Sequence, residues 1–213
     1  MTCGHKVNEG HHDSPGGHMA RRQLEKSRAT QEELLASALL LFQERGFFAT
    51  TIADITQKAG YAKGSFYRHW QGKDDIILQL IERKLAEHRS RRTAALACAG
   101  SLEEVLDAIW DFLEAIMQDK SWARVFLEFT IHASRNERLR AELAKSAYRL
   151  SDALFAELVA GHAGKGVSGE KLGALNTCLF EGFLIHGILE TGTLNRSDVR
   201  LAAKTLMMSL AGQ

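Results

Sequence analysis

Residues 60–73 read GYAKGSFYRHWQGK, a stretch that combines basic side chains, aromatic rings and glycines and contains no acidic residue. No acid occurs anywhere between Asp54 and Asp74. The bases in this interval are Lys58, Lys63, Arg68 and Lys73. Because a nearby carboxylate would repel phosphate and neutralise a base, an acid-free basic segment favours a polyanionic partner. The alternative interpretation is a solvated helix face, which accounts for most charge clusters.

The residues just before this stretch predict a short helix and a tight turn. Over residues 51–59, Ile52, Ile55 and Ala59 recur at helical spacing and would share the inward face. Gly60 then permits a tight turn into a second short helix that ends near residue 70. Two short helices joined in this way form a helix-turn-helix, a motif that reads DNA.

The second short helix has one anchoring face and one outward face. Phe66 and Trp70 lie four residues apart and would hold it to the core. Gly64 and Ser65 are small, which lets the helix approach another surface closely. The outward residues would be Lys63, Tyr67 and His69, whose polar atoms suit hydrogen bonds to phosphate and sugar.

Elsewhere in the chain, helix-capping patterns and apolar residues at helical spacing recur, so we predict an all-α fold. Thr30 with Glu33, and Ser101 with Glu104, match capping boxes and predict helix starts. No alternating strand pattern or Asn-Gly hairpin signal separates the periodic segments. Those segments cover residues 34–45, 102–117, 76–89, 122–133, 139–158, 172–190 and 199–210.

Composition narrows the class of protein further. Residues 20–90 carry 12 Lys and Arg against 9 Asp and Glu, whereas residues 91–213 carry 14 against 15, so the amino-terminal part is the basic one. No apolar run approaches the length of a membrane span, so no membrane association is expected. The 3 cysteines have no metal-ligand spacing, which favours a reducing cytoplasm, and we expect no metal and no cofactor.

Residues 1–19 differ from the rest of the chain. They are rich in Gly, His and small polar residues and lack helical or strand periodicity. We expect a disordered leader there. The histidines leave metal chelation open as an alternative.

Residues 46–77, GFFATTIADITQKAGYAKGSFYRHWQGKDDII, resemble the TetR family of transcriptional regulators. The resemblance implies a three-helix DNA-binding domain over residues 20–73 and a larger helical ligand-binding and dimerisation domain over residues 74–213. It implies DNA contacts by Thr50, Thr51, Lys63, Gly64, Ser65, Tyr67, Arg68, His69 and Lys73. The chain departs from the family at Ala62, where Ser or Thr is usual, so the second helix lacks a side-chain cap there.

The helix over residues 172–190 is apolar on two faces, a pattern typical of a helix buried on both sides. We expect one face to serve the subunit core and the other a second subunit, which predicts a homodimer, as the resemblance also implies. A fully interior helix in a monomer is the alternative. The predicted interface comprises Phe180, Leu184, Ile188, Val199, Ala203, Leu206, Met207 and Leu210.

The resemblance further implies a small-molecule cavity in the second domain. The candidate lining residues are aromatic and histidine side chains on apolar stripes, namely Trp110, Phe126, Phe129, His132, Tyr148, Phe183 and His186. The alternative is that these residues are ordinary core.

An enzyme is not expected. The loop GHAGKGVSG at residues 161–169 follows a helix rather than a strand and lacks the Gly-Lys-Ser/Thr of a phosphate-binding loop. The sequence therefore predicts a ligand-responsive regulator, a repressor released from operator DNA by a small apolar or aromatic effector. A helical protein-interaction module without specific DNA binding is the alternative.

Overall fold

In a computed structural model, every regular element of the described residues, 15–96, 99–160 and 167–211, is a helix. The prediction of an all-α fold is confirmed. Residues 1–14 of the expected leader and residues 161–166 of the glycine-rich loop lie outside the described residues. The helices are α1 (Pro15–Arg45), α2 (Ile52–Lys58), α3 (Lys63–Tyr67), α4 (Lys73–Leu96), α5 (Leu102–Met117), α6 (Lys120–Ser134), α7 (Glu137–Leu143), α8 (Leu150–Val159), α9 (Gly169–Ile188) and α10 (Arg196–Ala211). A π-helical segment, Ala144–Arg149, joins α7 to α8.

The start of α1 differs from the prediction. The helix runs from Pro15 rather than from Thr30, so the last residues of the expected leader are helical. The Thr30 hydroxyl donates to the carbonyl of Lys26 at 3.0 Å instead of capping a helix. A threonine inside a helix can bond back to the preceding turn, and sequence alone does not separate this use from capping. At Ser101, by contrast, the hydroxyl accepts from the Glu104 N–H and begins α5 as predicted.

Helices α2 and α3 form the predicted helix-turn-helix. Thr51 and Asp54 form a complete capping box at the start of α2. Gly60 has φ +75 in the turn, a conformation that side-chain-bearing residues rarely adopt. Ala62 precedes α3 without a side-chain cap, as its sequence position predicted.

One continuous apolar core joins the helix-turn-helix to the helices that follow. Phe42, Ile55 and Phe66 share this core with Ile76 and Ile77 of α4. On the other side it includes residues of α6 and α7: Trp122, Val125, Phe129, Ala133, Leu139 and Leu143. The first half of α4 is thus packed from both sides, as a stiff connecting helix requires. The predicted boundary at residues 73 and 74 lies at the start of α4 and does not divide the packing.

The second half of the chain forms a bundle of α5, α6, α8, α9 and α10. Two further clusters of buried residues fill it, one around Leu106 and Phe155 and the other around Trp110 and Leu184. The Trp110 indole N–H donates to the side-chain oxygen of Asn176 at 3.1 Å, which fixes α5 against α9. None of the described helices is long and apolar enough to cross a membrane.

Candidate nucleic-acid interface and internal cavity

Helix α3 is held by its apolar side and offers its polar side to solvent. Phe66 is fully buried, and its ring lies 5.2 Å from that of Trp70, which is also buried. The next residue, Tyr67, is 57% exposed. Lys63, Gly64 and Arg68 are also exposed. Lys63 and Tyr67 are thus exposed, as their spacing from the buried Phe66 and Trp70 predicted.

Two hydroxyls that were expected to contact DNA are turned inward instead. Thr50 is fully buried, and its hydroxyl donates to the carbonyl of Gly46 at 2.8 Å. Ser65 is buried and accepts a hydrogen bond from Arg68 at 2.9 Å. Neither side chain lies at the surface, so the expectation that their hydroxyls contact DNA is corrected. Each hydroxyl forms a hydrogen bond with a neighbouring group of the same subunit, and the spacing of residues in the sequence does not reveal such bonds.

Thr51 and His69 lie at the edges of the exposed face. Thr51 is exposed, although its hydroxyl already donates to Asp54 at 2.6 Å. His69 is half-buried with its ring 5.4 Å from that of Trp70, and burial lowers the pKa of its imidazole. A lowered pKa keeps the ring neutral near pH 7, so His69 offers a hydrogen bond rather than a charge.

Lys73 is a structural cation rather than an exposed one. Its ammonium group donates to the carbonyls of Phe47 at 2.6 Å and Thr50 at 2.9 Å. It also lies 4.3 Å from the centre of the Phe47 ring. Burial lowers the pKa of Lys73, opposed by the nearby carboxylates of Asp74 and Glu128. The predicted backbone contact of Lys73 with DNA is therefore corrected, because its donors already hold the loop between α1 and α2.

Replacement of Lys73 by alanine is expected to lower the free energy of unfolding by about 1–3 kcal/mol, since buried carbonyls lose a charged donor. Urea denaturation would measure the loss. Lys63→Ala is the matched control, because Lys63 is exposed and should change stability by less than about 0.5 kcal/mol. Equal stability of the two variants would show that Lys73 does not hold the loop.

A cavity of about 110 Å³ lies inside the second half of the chain. Leu85 of α4, Phe126 of α6 and residues of α5, α8, α9 and the π-helical segment enclose it. Its aromatic residues are Phe112, Phe126, Tyr148, Phe155 and Phe180, and its polar ones are Asn176, Thr177 and Glu181. A second cavity of about 80 Å³ adjoins it, and Phe126 and Phe180 line both. An apolar cavity with a few polar groups is the usual form of a small-molecule site.

Of the predicted lining residues, only Phe126 and Tyr148 face this cavity. Trp110 is fully buried behind it and reaches it only through Asn176. Phe183 and His186 lie at a surface groove between α9 and α10.

Phe129 and His132 are also misplaced by the prediction, because they face the opposite side of α6. Phe129 lies 5.3 Å from the Phe47 ring, and the His132 ring lies 5.2 Å from it. The His132 imidazole is 3.1 Å from the Asp74 carboxylate. Helical periodicity identifies apolar stripes but not which neighbour each stripe meets, so core residues were mistaken for lining.

The polar group of the cavity that sequence reasoning missed is Glu181. Its carboxylate lies close to the Tyr148 hydroxyl, and both residues line the cavity. Burial raises the pKa of both the Glu181 carboxyl and the Tyr148 hydroxyl. A sequence signal existed: Asn176, Thr177 and Glu181 are polar residues at helical spacing on the face that also carries Phe180.

The predicted dimer residues lie in the core of their own subunit. Leu184, Val199, Ala203 and Met207 are buried, and Phe180 lines the cavity. The remaining ones, Ile188, Leu206 and Leu210, are half-buried against the same clusters. The exposed large apolar residues of α9, its C-cap and α10 are Leu175, Ile185, Leu189, Leu201 and Met208. We call these five residues the outer stripe and propose it, in place of the predicted set, as the candidate subunit interface.

Comparisons with known proteins agree with this geometry. Residues 34–80 match a sequence model of bacterial regulatory proteins of the tetR family. Residues 101–212, more than half of the chain, match a model of the carboxy-terminal domain of BetI-type transcriptional repressors.

Individual relatives match over part of their length. The transcriptional regulator CymR of Pseudomonas putida is 26% identical over 61% of this chain and 63% of its own, and the repressor KstR2 of Rhodococcus jostii is 32% identical over 50% and 52%. The chain thus spans less than two thirds of these relatives. Among solved structures, the regulator FadR of Bacillus subtilis in complex with stearoyl-CoA superimposes with TM-score 0.66, at 16% identity over 84% of this chain and 97% of that one.

Proposed function

The chain belongs to the TetR family of transcriptional regulators, and we propose that it is a ligand-responsive repressor that binds operator DNA as a homodimer. Family membership makes it a DNA-binding regulator and not an enzyme. The observation that carries the proposal is α3, a helix whose polar face is exposed while its apolar face is anchored in the core. A protein-interaction module would not require basic and aromatic groups on this face.

On DNA, α3 would enter the major groove with Gly64 at the point of closest approach. Lys63 and Arg68 would contact phosphates, which supplies affinity without sequence information. Tyr67 would contact base edges or thymine methyl groups, which supplies specificity. Two such helices must match successive grooves about 34–36 Å apart, so a homodimer is required for tight binding.

Two helices, α4 and α6, connect the cavity directly to the helix-turn-helix. On α4, Leu85 lines the cavity, while Ile76 and Ile77 lie in the core that anchors α3. At about 1.5 Å per residue, Leu85 lies about 18 Å along the helix from Lys73. A ligand that displaces α4 at Leu85 would therefore move the helix-turn-helix.

On α6, neighbouring residues face opposite sides. Phe126 lines the cavity, and the carboxylate of Glu128 accepts the backbone N–H of Phe47 at 2.7 Å. We propose that the effector acts through both helices. FadR, a transcriptional regulator that shares this fold, forms a complex with stearoyl-CoA, which supports a small-molecule effector for this chain.

The proposal is tested by DNA binding at several salt concentrations, with a duplex from upstream of the gene and a scrambled duplex. Lys63→Ala should weaken binding to both duplexes and reduce the salt slope by about one unit, because one phosphate contact is lost. Tyr67→Ala should cost about 1–3 kcal/mol of the preference for the operator. Lys171→Ala, an exposed lysine on α9, is the control. Parental binding by both folded α3 variants would contradict the assignment of α3.

A further inference from the structure

The internal cavity combines aromatic rings with one carboxyl group, and we propose that the effector is a lipophilic amine bound as its protonated cation. Its ammonium group would lie against Glu181, and its apolar body would lie between the rings of Phe126, Phe155 and Phe180. This inference rests on the regulator function proposed above, because it names the chemical class of the effector of that regulator.

The carboxyl group of Glu181 has acceptor capacity to spare. It projects from α9 into the cavity, close to the Tyr148 hydroxyl. A carboxylate offers about four acceptor positions. Among the described residues no Lys or Arg lines this cavity or forms an ion pair with Glu181. The charge that would balance this carboxylate therefore has to come from the ligand.

The rings around the carboxyl favour the same sign of charge. The face of an aromatic ring is negative, and cations bind there with a preference that grows when water is excluded. Phe112, Phe126, Tyr148, Phe155 and Phe180 all line the cavity. A cation would meet a carboxylate and aromatic rings together in a partly buried site.

An anionic ligand is disfavoured by the same geometry. A fatty acid or acyl-CoA would place a carboxylate or phosphates in the first cavity beside Glu181, where the described lining contains no Lys or Arg. Lys84 of the adjoining second cavity is already paired with Asp119. Like charges at close range repel, and a buried anion without a partner loses its hydration. The cavity thus disfavours an acyl-CoA such as the stearoyl-CoA in the FadR complex, although the fold is shared.

The size of the cavity sets the size of the ligand. Cavities of about 110 and about 80 Å³ share Phe126 and Phe180 among their lining residues. We expect a change of rotamer at either ring to join them. Lys84 lines the second cavity, where its ammonium group pairs with Asp119 at 3.6 Å. An engineered cavity of about 150 Å³ accepts benzene, so a single ring with a short alkyl chain is a suitable probe.

The test uses three probes with one skeleton: 4-phenylbutylamine, 4-phenylbutan-1-ol and 4-phenylbutyrate, titrated calorimetrically into the full chain at pH 7. Because a charged hydrogen bond is stronger than a neutral one, the amine should bind at least about tenfold tighter than the alcohol. The acid should bind most weakly. Tightest binding by the alcohol or the acid, or absence of amine binding, would overturn the proposal.

Matched variants test whether Glu181 is the group that binds the amine. Glu181→Gln keeps the shape of the side chain and should weaken amine binding by about 10- to 100-fold while leaving alcohol binding within about twofold. Glu157→Gln removes an exposed carboxylate of α8 and should change neither affinity. Tyr148→Phe, which keeps ring and carboxylate, should retain the preference for the amine even if Glu181→Gln folds poorly. Undiminished amine binding by folded Glu181→Gln, or loss of the preference in folded Tyr148→Phe, would refute the assignment.

DNA binding, measured on the same samples, separates this inference from the regulator function. Operator binding without amine binding would leave the regulator function in place and reject the amine. Amine binding without operator binding would reject the regulator function and retain the site. If both proposals hold, amine and operator weaken each other by the same factor, typically about 5- to 150-fold.

Discussion

A protein with Ile185→Glu and Leu201→Glu is expected to be monomeric and to bind operator DNA about 10²- to 10⁴-fold more weakly than the parent chain. Both residues belong to the outer stripe, with 44% and 69% of their surfaces exposed. In a dimer joined by α9 and α10, the new carboxylates would be buried without partners, which is costly. The affinity loss follows because a monomer places only one α3 on the operator.

Sedimentation velocity and DNA binding on the same samples check this prediction. The exposed positions make misfolding an improbable cause of dissociation, and circular dichroism verifies it. Ile131→Glu is the matched control, because Ile131 of α6 is 59% exposed and lies outside the outer stripe. An intact dimer with both glutamates would exclude the outer stripe as the interface. The equivalent change at Leu184 would not test the interface, since Leu184 is buried in its own subunit.

Phe66→Ala is expected to lower the free energy of unfolding by about 3–5 kcal/mol and to abolish operator binding. Phe66 is fully buried and contacts Trp70, so its removal leaves a cavity beneath α3. Total stabilities of domains are about 5–15 kcal/mol, so the loss is a large share. Because α3 is short, it depends on this anchor rather than on its own helix propensity.

The adjacent Tyr67 provides the matched control for Phe66. Both are aromatic residues of α3, but Tyr67 is exposed, so Tyr67→Ala should change the urea midpoint little while it weakens operator binding. Urea denaturation and DNA binding of the two variants therefore separate anchoring from recognition. Equal losses of stability would contradict the assignment of opposite faces to these neighbours.

Local patterns in the sequence predicted the helix-turn-helix well. The spacing of Ile55, Phe66 and Trp70, with Gly60 between the helices, identified buried and exposed faces that the structure confirms. Such patterns succeed because a short amphipathic helix has a single apolar stripe, and that stripe has to face the core. The start of α1 was misplaced because Thr30 bonds within the helix and does not cap it.

For the longer helices, apolar periodicity did not identify which neighbour each face contacts. Helix α9 is apolar on more than one face, and sequence alone did not assign one face to the cavity and another to the outer stripe. Helix α6 posed the same difficulty, since Phe126 lines the cavity while Phe129 packs against the helix-turn-helix. Lys73 was assigned to DNA through the family resemblance. No local pattern reveals its partners in the structure, the carbonyls of Phe47 and Thr50, because they lie more than 20 residues away in the chain.

The sequence by itself determined the all-α fold, the helix-turn-helix and the outward direction of Lys63 and Tyr67, because each depends on contacts within a few residues. His69, predicted to face outward with them, is half-buried. Only the tertiary structure decided that Lys73 holds a loop, that Glu181 faces a cavity and that the outer stripe stays exposed. Those roles depend on which helices become neighbours. That choice is made by the packing of whole helices, since periodicity fixes the direction of a side chain around its own helix but not the element that it meets.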